Sequence, residues 1–188
     1  MLGAHATRVR QMAFPMRRDE ARMAITDWHH RGEHHPIDVV ESLAAHHEWE
    51  FDRVTEDQIA MAVEGHWRDY ALTLSWSAPD ETLRLIVTFE LTPPDERLAA
   101  LHDLINRCND QVWTGAFTWW AEQGLMAWRY GLCLAGGGTA SPRQVEEIIA
   151  TALGAAERFY PAFQLMLWGR ASPEEAMKVA IAEVHGHA

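Results

Sequence analysis

Cysteine and lysine are nearly absent from this 188-residue chain. Only Cys108 and Cys133 occur, too few for a disulfide framework and with no CxxC pair for metal or redox chemistry. Two reduced thiols fit a cytoplasmic location. Lysine occurs once, at Lys178, and arginine supplies the rest of the positive charge. Positive charge is scarce too: 16 Lys and Arg stand against 27 Asp and Glu, a net charge of −11. That balance argues against nucleic acid as the main partner. No apolar run approaches the roughly 18 residues of a membrane-spanning helix. No apolar segment follows Arg8, Arg10, Arg17 and Arg18, so no secretory signal is expected. Repeats and low-complexity tracts are missing as well.

Tryptophan, by contrast, is abundant. Nine occur, and each offers a large apolar surface with one N–H donor. With 48% hydrophobic and 23% charged residues, the chain is long and apolar enough for a core of its own.

Composition shifts near residue 35. Residues 1–35 hold six Arg and four acids, with clustered His29, His30, His34 and His35. Their apolar periodicity is weak, so they are expected to form a flexible basic extension whose removal leaves stability nearly unchanged. Residues 36–188 carry the patterned part. Pro36 suits a first helical turn, and Ile37, Val40, Leu43, Ala44 and His47 fall on one helical face. Four strand-like runs follow: Trp49–Val54, Gln58–Glu64, Arg68–Trp76 and the alternating stretch through Leu83, Leu85, Val87, Phe89 and Leu91. Period-two alternation joined by short turns predicts an antiparallel meander with one buried face.

Thr92-Pro93-Pro94 is expected to open a second helix, with Leu98, Leu101, Leu104, Ile105, Cys108 and Val112 as its stripe. Gly115 begins a hairpin through Phe117–Trp120 and Met126–Leu134. Ser141-Pro142-Arg143-Gln144 is a capping box, and Pro161 is expected to kink or end the helix it opens. Ser172-Pro173-Glu174-Glu175 opens a last helix. The sum is an α+β chain built on a single antiparallel sheet with packed helices.

No catalytic, cofactor or metal motif has the spacing its chemistry requires, so no such residues are assigned. His30 and His34 are four apart, but Gly32 lies between them and Glu33 is misplaced for HExxH. His46 and His47 point along different directions of one helix. Gly136-Gly137-Gly138 lacks the lysine of a phosphate loop and follows a strand that reads as antiparallel. No serine has a nucleophile-elbow context. Cys108 falls on a core stripe and Cys133 in a strand. Asn106 and Asn109 read mainly as helix-end residues; the alternative is a polar cluster tying helix to sheet.

Trp76, Trp119, Trp120 and Trp128 are therefore the candidate binding residues. Strand alternation places some of them on a face that helices need not cover, and Trp is enriched at binding hot spots. The competing reading puts all four in the core.

From Pro36 onward the chain resembles the YbjN family of bacterial proteins. The resemblance rests on Pro36-Ile37-Asp38-Val39-Val40 opening a helix and on strands ending in Leu83–Leu91. It continues through Leu104-Ile105-Asn106-Arg107-Cys108-Asn109, the hairpin from Gly115 to Tyr130, and Ser141-Pro142-Arg143-Gln144. It implies an α+β fold similar to type III secretion chaperones and no catalytic residues. The function it implies is a non-enzymatic, protein-binding or chaperone-like regulatory domain, with a protein partner or a homodimer. A ligand- or metal-sensing regulatory domain is the alternative.

Overall fold

The computed structural model of the protein describes residues 35–185. The extension expected over residues 1–35 lies outside them except for His35. That residue belongs to the folded part: it is the N-cap of helix α1 (Pro36–His46), where its Nδ1 accepts from the Ile37 N–H at 3.3 Å. Its Nε2 lies 2.9 Å from the Asp57 carboxylate, and its ring meets Trp76 edge-on at 6.3 Å. Capping by an imidazole frees Pro36 to occupy the first turn, where a missing N–H costs nothing.

Strands β1 (Glu50–Thr55), β2 (Gln58–Glu64), β3 (Asp69–Ser77) and β4 (Thr82–Glu90) form the expected meander. Helix α2 (Leu98–Asn109) then crosses to β5 (Ala116–Trp120), which turns back into β6 (Leu125–Cys133). The sheet order is β1-β2-β3-β4-β6-β5, antiparallel throughout, with β6 inserted against β4. β1 and β5 are the two edges.

Alternation sets the two faces. Ile59, Met61, Val63, Tyr70, Leu72, Leu74, Leu83, Leu85, Val87 and Phe89 are all buried and point to the helical layer. Their neighbours in each strand point to a face that carries no helix among the described residues. The long helix α3 (Pro142–Trp168) lies across the first face. Phe159 and Phe163 of α3 hold Phe117 of β5 at ring separations of 5.7 and 5.6 Å, and Phe89 lies 6.1 Å from Phe163. Helix α4 (Pro173–His185) packs beside α3 and α2.

Both predicted capping boxes are present. Ser141 Oγ accepts from the Gln144 N–H while Gln144 Oε1 accepts from the Ser141 N–H. Glu175 and Ser172 exchange the same pair of bonds, and the Ser172 N–H, with the Ser172 hydroxyl, holds the Glu175 carboxyl below its ordinary range.

One helix boundary differs from expectation, and one of the two outcomes expected at Pro161 does not occur. Helix α2 starts at Leu98, not at the prolines. Pro94 forces Pro93 out of the helical region, Pro94 is itself extended, and a single 3-10 turn, Asp95–Arg97, intervenes. Pro161 does not end α3, which runs seven residues beyond it. An interior proline costs about 3 kcal/mol, whereas Ala162, Phe163, Met166 and Leu167 downstream are all buried and contribute roughly 1.5–3 kcal/mol for each large side chain. Arg97 also donates to the Met166 carbonyl at 2.7 Å and to that of Ala171, closing the C-terminal end of α3.

Candidate protein-contact surfaces

The four strand tryptophans have different surroundings. Trp128 is 0% exposed, in the middle of the core. It is stacked 6.3 Å from Tyr130 and roofed by Gly115, where an added Cβ would lie 2.0 Å from its Cζ2. Its place in the core removes it from any contact surface. Trp76 is half-buried opposite Leu83, under the His35 ring. Trp119 lies opposite buried Met126, on the same side of β5 as Phe117, and is half-buried. Trp120, the next residue, points to the helix-free face, opposite Leu125. The indole nitrogens of Trp49, Trp119 and Trp128 are buried with no hydrogen-bond partner, so apolar area rather than the N–H holds these rings in place.

Among the described residues the fully exposed tryptophan is Trp113, in the loop between α2 and β5. Periodicity could not single it out, because residues 111–114 belong to no helix or strand. The available signal was an aromatic residue set between the polar end of a helix, Asn109-Asp110-Gln111, and the turn at Gly115. Trp113 borders a groove of about 230 Å³ whose other walls come from Val112, Thr151, Ala155 and Phe159. Gly154 forms part of its floor, and a Cβ there would meet nothing within 4 Å. Arg158 also lines it: its guanidinium carbon lies 4.8 Å from the Phe159 ring centroid, and its Nε donates to the Ala180 carbonyl of α4 at 3.4 Å. Glu147, Thr151, Gly154 and Arg158 follow helical spacing along one stripe of α3. The groove is therefore largely apolar, with the Arg158 guanidinium as the charged group of its lining.

The loop that carries Trp113 is fixed at both ends. Asn109, the last residue of α2, spans from the helix to the sheet. Its Oδ1 accepts from the Phe117 N–H at 2.7 Å, and its Nδ2 donates to the Phe117 carbonyl at 3.1 Å. This side chain acts as a short surrogate strand on the edge of β5. The tie between helix and sheet replaces the simple helix-end role expected for Asn109; Asn106 is exposed on α2.

Other chemistry-bearing groups are engaged structurally. Cys108 is fully buried, 3.7 Å from Met177 Sδ, and burial pushes its thiol up to about 12. The Gly136 N–H donates to the Glu81 carboxylate, so an anion already sits where a phosphate would have to bind. Burial followed by the charge of Glu157 raises the Tyr70 hydroxyl well above the ordinary phenol value. His47 is stacked on Trp49 at 4.7 Å, 3.5 Å from Glu146, and burial lowers its pKa. Among the described residues no three His, Cys, Asp or Glu side chains come together as a metal site, and no helix is long and apolar enough to cross a membrane.

A model of the YbjN family, described as "putative bacterial sensory transduction regulator", matches residues 36–165. The chain belongs to the YbjN family. The match runs from the first residue of α1 almost to the end of α3. Among solved structures, this YbjN chain is similar to one titled "Crystal structure of YbjN, a putative transcription regulator from E. coli", at 10% sequence identity and a TM-score of 0.47. That likeness covers 79% of this chain and 92% of the other. No curated protein matches it.

Proposed function

We propose that this YbjN family member is a non-enzymatic regulatory domain that binds a segment of a partner protein. One observation carries the reading: a fully exposed Trp113 stands beside an apolar groove, on a loop pinned to the sheet by Asn109. An exposed indole beside a groove, on a loop tied at its base, supplies a large contact area, the usual anatomy of a hot spot. The lining of the groove defines the occupant. The segment places an aliphatic or aromatic side chain against Ala155 and Phe159 and an acidic residue toward Arg158. Of the strand tryptophans proposed as binding residues, Trp76, Trp119 and Trp120 retain partial exposure, and none of them lines this groove. The family description as a sensory transduction regulator supports a role exerted through such a partner.

A photo-cross-linking residue at position 113 of the full chain, with position 71 as control, identifies the segment in native-host lysate. The purified partner is then titrated against wild type, Trp113→Ala and Gly154→Leu. At least roughly tenfold weaker binding of both variants at unchanged melting temperature is expected. Wild-type affinity in both variants, or adducts from position 71 only, refutes the reading.

A further inference from the structure

Arg158 stands in the groove without a counter-ion. Arg53, Arg84 and Arg107 each pair with a carboxylate of the chain. Arg158 is half-buried, and its polar bond runs from Nε to the Ala180 carbonyl. Among the described residues no carboxylate pairs with it, although the chain holds 27 Asp and Glu. The Phe159 ring beneath it offsets part of the lost hydration. The remaining N–H groups of the guanidinium face no anion of the chain, and a carboxylate is the partner their planar fork fits.

We propose that the groove captures the C-terminal residue of a partner protein, with the terminal carboxylate on Arg158 and the last side chain, aliphatic or aromatic, against Ala155 and Phe159. This inference rests on the groove reading above and names the kind of segment that enters it. Two dimensions select a chain end over the interior of a chain. The first is the distance between charge and apolar wall: the guanidinium carbon lies 4.8 Å from the Phe159 ring centroid. In an extended segment consecutive side chains point to opposite sides, and those on one side recur only every 6.8 Å or so. An internal Asp or Glu is therefore turned away from its apolar neighbour, or set too far along. A terminal residue carries carboxylate and side chain on one α-carbon and presents both at once. The second dimension is volume. About 230 Å³ lies below the roughly 300–1,000 Å³ of sites that enclose a drug-sized ligand, so the groove holds one large side chain and the group beside it. Trp113, on the rim, is left to cover the residues that lead into the groove.

Isothermal titration calorimetry of the full chain tests this with acetylated pentapeptides ending in leucine or phenylalanine, each made as the free carboxylate and as the carboxamide. The carboxylate is expected to bind about tenfold or more tightly than its amide. In Arg158→Gln that ratio falls to within about twofold, whereas Arg158→Lys, which keeps the charge without the fork, retains part of it. Equal affinity of acid and amide for the wild-type chain overturns the proposal, whether or not a variant folds. So does an undiminished ratio in Arg158→Gln, or no binding of either acid at millimolar concentration. Binding of 3-methylbutanoate as tight as that of the leucine peptide assigns the groove to a small acid and also overturns it. Adducts from position 113 that map inside a partner chain overturn the terminus alone and leave the groove reading standing. Wild-type partner affinity in both Trp113→Ala and Gly154→Leu removes the groove reading, and this inference with it.

Discussion

Replacing Asn109 by Ala cuts the only side-chain link between the end of α2 and the backbone of β5 among the described residues. Each lost hydrogen bond costs about 1 kcal/mol net. The Phe117 N–H also loses its partner, and it sits beside a side chain that is 3% exposed. Leaving a buried donor unsatisfied adds about 1 kcal/mol or more, for a total of about 2–3 kcal/mol. In a chain of this size that corresponds to a fall in melting temperature of about 5–10 °C. Urea unfolding followed by far-UV circular dichroism measures it. Asn109→Asp supplies a second reading. It keeps the acceptor for the Phe117 N–H but turns a carboxylate toward the Phe117 carbonyl. Below about pH 4 the protonated acid can donate to that carbonyl. The Asp variant is therefore expected to approach wild type on acidification, relative to its deficit at neutral pH. A loss below about 0.5 kcal/mol for Asn109→Ala would show that β5 is held by its pairing with β6 alone, and would refute the surrogate-strand role.

Three further outcomes follow from the packing. Gly115→Ala should destabilise by more than a typical surface change, because φ is +74° and the added Cβ collides with Trp128; thermal unfolding checks it, and an unchanged melting temperature contradicts it. A disulfide-exchange reagent at pH 8 should titrate exposed Cys133 at once and buried Cys108, with its raised pKa, only after denaturation; two thiols reacting at once in the folded chain would contradict this. Glu175, depressed by the Ser172 N–H and then the Ser172 hydroxyl, stabilises the start of α4 above its unfolded pKa of about 4.3, and that contribution fades as pH falls through the lower folded value. Glu175→Gln should therefore flatten the acid side of the stability profile; an acid limb identical to wild type contradicts it.

The sheet was legible because one face is buried and the other is not. Tyr70, Leu72 and Leu74, and likewise Leu83, Leu85 and Val87, alternate strictly, and a one-residue slip would invert every one of them. The two capping boxes were legible because each needs only a Ser and a Glu or Gln at fixed spacing. The start of α2 was not, since two adjacent prolines restrict each other in a way single-residue preferences do not express. The passage of α3 through Pro161 depends on core contacts far away in sequence, which a local proline rule cannot weigh. Asn109 was ambiguous for a similar reason: its partner, Phe117, becomes its neighbour only after the chain turns at Gly115. Trp113 stood outside every periodic segment, so the tryptophan with the most exposed surface among the described residues carried the least pattern.

Amide hydrogen exchange of the full chain, with and without the purified segment captured from position 113, tests the binding surface most directly. Added protection confined to the Val112–Thr114 loop and to residues 151–158 of α3 is the predicted result. Protection that leaves both of these segments unchanged and falls elsewhere would contradict it.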